Sequence, residues 1–225
     1  MTRNIFKLIF RLIVIASAVV GICLTPAIRQ TEQFWFFTIQ TNIFIAIIEL
    51  ILVVCQILNF LKIETTFIQG KTFSFIRTLT TFFITITGLI YCFVLAPAGV
   101  YFDGEPLSKL FDARNILLHV TVPAMAILDH LLYCKKGNLK FRYAPIFLIY
   151  PIIYFAMVNF RVLFGGAPFS NGSLYPYFFL DPYLDAQGWG MGAIYLAFIC
   201  LLFYGLACLY IWLDKKLSKR KQHLD

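Results

Sequence analysis

Residues 35–61 read WFFTIQTNIFIAIIELILVVCQILNFL, and Glu49 is the only charged residue among them. A helix needs ~20 apolar residues to cross the hydrocarbon core of a bilayer, and this run exceeds that length. Its apolar positions do not alternate with polar ones, so it reads as a membrane helix and not as a barrel strand. Five other stretches read the same way. The six predicted spans are 5–27, 35–61, 73–95, 110–133, 143–164 and 188–213. Pro97, Pro106, Pro168, Pro176 and Pro182, together with Gly99, Gly104, Gly165 and Gly166, are expected to break the chain between the later spans.

Composition gives the same answer. The 225 residues are 60% hydrophobic and 13% charged, about half the charged fraction of an ordinary soluble domain. Mean hydropathy is +0.81, and no polar stretch is long enough to build a water-soluble domain. The predicted fold class is an all-α membrane protein, a six-transmembrane-helix bundle forming one domain over 1–214, followed by a basic tail over 215–225. The first span is expected to be a retained helix and not a leader. Its small residues Ala16, Ser17 and Ala18 lie inside the apolar run, where a leader would place them after it.

The basic residues set an orientation. Arg3, Lys7 and Arg11 flank the first span; Lys62, Lys71 and Arg77 lie around the turn between the second and third. Lys135, Lys136, Lys140 and Arg142 fall between the fourth and fifth, and Lys215, Lys216, Lys219, Arg220 and Lys221 in the tail. With six spans all four groups fall on one side, so both termini are expected to be cytoplasmic, in a plasma membrane (the bacterial inner or cell membrane). The formal net charge of +8 then reflects topology and attraction to anionic lipid headgroups. Spread over four short segments, it does not suit nucleic acid. The six cysteines contain no CxxC pair and none lies in an outer loop, so neither a disulfide framework nor a thiolate metal site is expected.

Topology gives each polar residue a depth. Thr38, Gln40, Thr41 and Asn42 fall in the outer turns of the second span. Asp112, Arg114, Asn115 and His119 fall in the outer half of the fourth, with Asn159 and Arg161 of the fifth near the same level. Asp103, Glu105, Tyr175, Asp181 and Asp185 stand in the outer loops. Thr38, Asn42 and Glu49 share one helical face, and Asp112, Asn115 and His119 another, so Asn115 is placed to orient the His119 ring. Polar faces should point into the bundle, because lipid cannot satisfy them.

Each of these has a plain structural role to weigh. A threonine in a membrane helix usually bonds back to the carbonyl one turn earlier; that role suits Thr41 better than Thr38. Asn42 reads equally as interhelical glue worth roughly 0.6 kcal/mol, and Arg161 as a side chain snorkelling to headgroups. Glu49, Arg77, Asp129 and His130 lie deeper, towards the inner end, where they read as a charge-compensated brace or, less plainly, as a proton path. His119, an ionisable ring inside a span, is the strongest functional candidate. A neutral histidine can take the proton of a threonine hydroxyl and so make it a nucleophile. Asn42, Asn115 or Arg161 would supply the orienting or substrate-binding contact. His119 and His130 are about 16 Å apart along a helix at 1.5 Å per residue, too far to share a metal ion. No phosphate loop or other cofactor motif is present, so no metal or cofactor is expected.

Three stretches carry a resemblance to a known family: WFFTIQTN at 35–42, NILLHVTVP at 115–123 and LYPYFFLD at 174–181. In these, in helix number and in length, the chain resembles the six-helix membrane proteins of the androgen-induced type, which include the androgen-dependent TFPI-regulating protein, and their small bacterial relatives. Animal members are threonine-dependent hydrolases of fatty acid esters of hydroxy fatty acids. The resemblance therefore implies Thr38 as nucleophile and His119 as base. The sequence departs from the animal pattern at Ile116, where those members carry a second histidine, and in the short spacing from His119 to Pro123. Two functions follow as expectations. One is a Thr/His hydrolase acting on a lipid ester within the membrane. The other is a non-enzymatic protein that binds or moves a small molecule or proton through a polar outer-leaflet pocket. Membrane lipids are the expected partners of either.

Overall fold

The computed structural model describes residues 2–24, 31–101, 106, 108, 111–169, 172–181 and 189–222. Asp103, Glu105, Pro182, Asp185 and the end of the first predicted span lie outside them. Among the described residues all regular structure is helical. Six helices are long and apolar enough to cross a membrane: Asn4–Leu24, Phe37–Phe60, Lys71–Val100, Ala113–Tyr133, Phe141–Leu163 and Leu196–Ser218. This is a multi-pass, membrane-embedded chain. Large apolar side chains such as Ile47, Leu50 and Val54 stand exposed on its helices, where only lipid makes them stable.

The first helix, α1, is Thr2–Leu24, and α2 is Phe37–Phe60. A short 3-10 turn, Thr31–Trp35, leads into α2, whose Gln40 side chain donates back to the Phe34 carbonyl at 2.7 Å. The third span is not one regular helix. It runs as α3, Lys71–Ile90, widens into a π turn over Tyr91–Leu95, and resumes as α4, Ala96–Tyr101. The fourth repeats the device: α5, Ala113–Ile116, a π turn over Leu117–Thr121, then α6, Val122–Tyr133. The last two are α7, Ile146–Leu163, and α8, Trp189–Gln222.

Each π turn ends two residues before a proline, Pro97 or Pro123. A proline inside a helix offers no N–H and crowds the carbonyl four residues back, and widening the previous turn relieves both defects. Pro97 was expected to break the chain; the helix instead passes through it. The basic residues differ from expectation at Arg11, read as a flank residue: it lies inside its span and is only 2% exposed, while Arg77, read with the inner brace, is 6% exposed. They can be buried because carboxylates meet them there. The helix α8 continues through Gln222, into the basic stretch.

The described contacts divide into two compact units, Met1–Lys135 and Lys136–Asp225. The first holds four spans. Its core takes residues from all of them: Val14 and Ala18 of α1, Ile45 of α2, Ile84 of α3, and Val122 and Ala126 of α6. Close approach is set by Gly88. A Cβ there would lie 3.0 Å from both the His119 carbonyl oxygen and the Pro123 ring. In the second unit α7 packs on α8, and Asp214 Oδ2 accepts from the backbone N–H of Gly137 at 2.9 Å and of Leu139 at 3.2 Å. There the chain turns out of α7 at Gly165, φ 75°, with Gly166 N–H returned to the Arg161 carbonyl at 2.9 Å.

Gly88→Ala is therefore expected to lower the thermal midpoint in detergent. Overpacking at about 1–3 kcal/mol outweighs the roughly 1 kcal/mol gain in helix propensity. Gly205→Ala on α8, where a Cβ meets nothing within 4 Å, should leave the midpoint unchanged or raise it. Thermal size-exclusion assays of the two variants check this.

Candidate functional site

Thr38 sits in the opening turn of α2 and His119 at the centre of the second π turn. They come together: Thr38 Oγ1 lies 3.3 Å from His119 Nε2. On its other side His119 Nδ1 lies 3.2 Å from the Asn115 carbonyl oxygen. A carbonyl only accepts, so Nδ1 carries the hydrogen and Nε2 presents its lone pair to the threonine hydroxyl. Asn115 thus orients the ring as expected, but through its backbone. Asp112 caps this stretch, its carboxylate accepting from the Asn115 N–H at 2.7 Å.

The ring has a further contact that the sequence reading did not find. Tyr91, from the first π turn, stacks on His119 with centroids 3.9 Å apart and planes inclined by 14°. Both rings of the pair ride on π turns ahead of prolines. A proline two residues beyond the end of such a turn, in both spans, is the pattern that points to them.

Asn42 explains how the π turn is held. Val122 N–H reaches back five residues to the Leu117 carbonyl, and Pro123, next in line, has no N–H for the Leu118 carbonyl. Asn42 Nδ2 takes that place, donating to Leu118 O at 3.2 Å and to Thr38 O at 2.9 Å. Asn42 is fully buried, and its Nδ2 hydrogens go to these two backbone carbonyls. Thr41, also fully buried, bonds Thr87 Oγ1 at 2.7 Å and the Thr38 carbonyl at 3.2 Å, the plain packing role. On α3, Thr78, Thr80, Thr81, Thr85 and Thr87 all bond back one turn. Arg161 belongs to the second unit. It donates to the carbonyls of Leu174, at 3.0 Å, and Ala167, and lies 4.3 Å over the Phe169 ring. Asn159, in the same unit, donates to the Phe155 carbonyl at 2.9 Å.

The buried charged residues form a network in the first unit. Asp129, fully buried, receives Arg77 on one carboxylate oxygen and Arg11 on the other, the latter at 3.4 Å; Arg11 Nε also lies 3.4 Å from Glu49. Two arginines and two carboxylates compensate one another, which burial demands. Arg11 is the member that the sequence reading left out. Among the described residues no group of three or more His, Cys, Asp and Glu side chains is arranged to hold a metal ion.

Comparison with family models, with curated proteins and with solved structures gives no match to this chain. The site's chemistry therefore rests on its own geometry.

Asn42→Leu should cost about 1–3 kcal/mol of stability by leaving the Leu118 carbonyl unpaired. Combined with Pro123→Ala, which returns a backbone N–H to the helix, the same change should cost measurably less. A double-mutant cycle on thermal unfolding checks the coupling.

Proposed function

We propose that this chain is an intramembrane lipid-ester hydrolase, a bacterial relative of the androgen-induced type of six-helix protein, with Thr38 as nucleophile and His119 as base. The observation that carries the reading is the 3.3 Å approach of Thr38 Oγ1 to a His119 Nε2 whose lone pair is aimed by the Asn115 carbonyl. That is the hydroxyl–base–orienter chain that activates a weak nucleophile.

The steps balance as an acyl transfer to water. Thr38 Oγ attacks the ester carbonyl carbon while His119 Nε2 takes the hydroxyl proton. Collapse of the tetrahedral adduct breaks the ester C–O bond, and the imidazolium gives its proton to the departing alcohol. Water, deprotonated by His119, then cleaves the threonyl ester to a carboxylic acid and restores Thr38. The transient imidazolium is favoured by the π face of Tyr91 stacked on it and by the Asn115 carbonyl on Nδ1–H. Ile116 and Val120, either side of His119, present exposed apolar side chains, a surface suited to an acyl chain arriving from the bilayer. Asn42 acts here as a positioning residue behind the pair.

The purified wild type is expected to react covalently with a fluorophosphonate probe and to hydrolyse a fatty acid ester. Thr38→Ala and His119→Ala should each lose about 10³-fold or more of both, while Thr41→Ala keeps them. No labelling and no esterase activity in the folded wild type would sink the hydrolase and leave a non-enzymatic carrier of a small molecule or proton. The reading also places both termini on the cytoplasmic side of a plasma membrane, with Thr38 and His119 in the outer leaflet. Epitope tags at either end should be cleaved by protease in inverted vesicles and protected in right-side-out ones.

A further inference from the structure

A second site lies in the first unit, away from Thr38 and His119, where α1, α2, α3 and α6 meet at the end that carries Lys7, Gln56, Ser74 and Lys135. A cavity of about 330 Å³ opens there, within the size range of small-ligand sites. Four cations line it: Lys7, Arg11, Arg77 and Lys135; no Asp or Glu is among its described lining residues. The carboxylates of Asp129 and Glu49 stand behind the arginines and compensate them. Lys7 and Lys135 bring two further cationic side chains to the cavity wall.

Both arginines are fixed in place by these contacts. Asp129 grips one guanidinium from α1 and one from α3, and Arg11 Nη1 is further tied to the Leu52 carbonyl at 3.4 Å and to Gln56 Oε1 at 3.3 Å. Arg77 is 6% exposed, yet its Nε has no hydrogen-bond partner among the described residues. A buried guanidinium N–H left unmade is costly, and Arg77 lines the cavity into which an acceptor can enter. The start of α3 adds to the field. Its cap residue, Gly70, offers no side-chain acceptor, so the first-turn N–H groups and the positive end of the helix dipole favour an anion. Leu52, Phe60, Ile68 and Phe73 give the same cavity apolar wall.

We propose that this cavity binds a phosphate-bearing anion, with Arg77 and Arg11 as the fixed donors and Lys7 and Lys135 as the entry charges. An anionic phospholipid headgroup and a soluble phosphate share that chemistry. To separate them, the full-length wild type in neutral detergent is offered equal amounts of phosphatidylglycerol and phosphatidylcholine, and retained lipid is read by native mass spectrometry. In parallel its thermal midpoint is followed against inorganic phosphate and against chloride at matched ionic strength. Retention of one phosphatidylglycerol per chain at about tenfold preference or more, with no specific effect of phosphate, identifies the headgroup. A phosphate-specific rise in the midpoint that also displaces the lipid identifies the soluble anion. In either case Lys7→Gln/Lys135→Gln should bring the preference close to unity. Lys135→Gln alone, an exposed position, should give an intermediate loss, so the test survives if the double variant folds poorly. Lys140→Gln/Lys216→Gln, an equal charge change in the second unit, should not alter it. Absence of both the lipid preference and the phosphate effect in the wild type overturns the proposal. So does an equal loss in the Lys140→Gln/Lys216→Gln control.

Discussion

Inside a bilayer a backbone carbonyl that loses its helical donor has no water to replace it. Pro123 imposes that loss in the fourth span, and much of the first unit follows from how it is met. The helix widens over Leu117–Thr121, Asn42 reaches across from α2 to the Leu118 carbonyl, and Gly88 lets α3 close against the same turn. His119 sits on the widened turn, so the repair of a backbone defect also aims a titratable ring. Pro97 repeats the device on the neighbouring span and delivers Tyr91 to a face of that ring.

The far end of the same four spans solves a different problem with charge. Arg11, Glu49, Arg77 and Asp129 are each at most 6% exposed, and each would be prohibitively costly there alone. Shared contacts through Asp129 make them affordable together. The unit thus has a hydroxyl–imidazole pair towards one end of α2 and a compensated ion network further along it.

The six spans were legible in the sequence because ~20-residue apolar runs leave little choice in lipid. Their ends moved by a few residues, and Pro97 did not end its helix, because a π turn costs less than an unpaired segment. Arg11 was misplaced for a definite reason: counting positive charge by segment fixes sides but says nothing of burial, which here depends on Asp129, far away in sequence. The expected topology put Thr38 and His119 at one depth without giving their distance. It could not show that Asn115 would act through its carbonyl, or that Asn42 would reach the Leu118 carbonyl. Tyr91 was missed because an aromatic residue near the end of a span ordinarily reads as part of an interfacial belt.

The central claim is that the proline-widened turn fixes His119 with Nδ1–H donated to Asn115 and Nε2 facing Thr38. With only three histidines in the chain, the His119 ring nitrogens can be assigned by ¹⁵N solid-state NMR of the labelled protein in lipid, using His119→Gln to identify the signals. The account predicts, for the neutral ring, a protonated Nδ1 and an unprotonated Nε2 whose shift changes in Thr38→Val. A protonated Nε2, or an Nε2 shift indifferent to Thr38→Val, would contradict it.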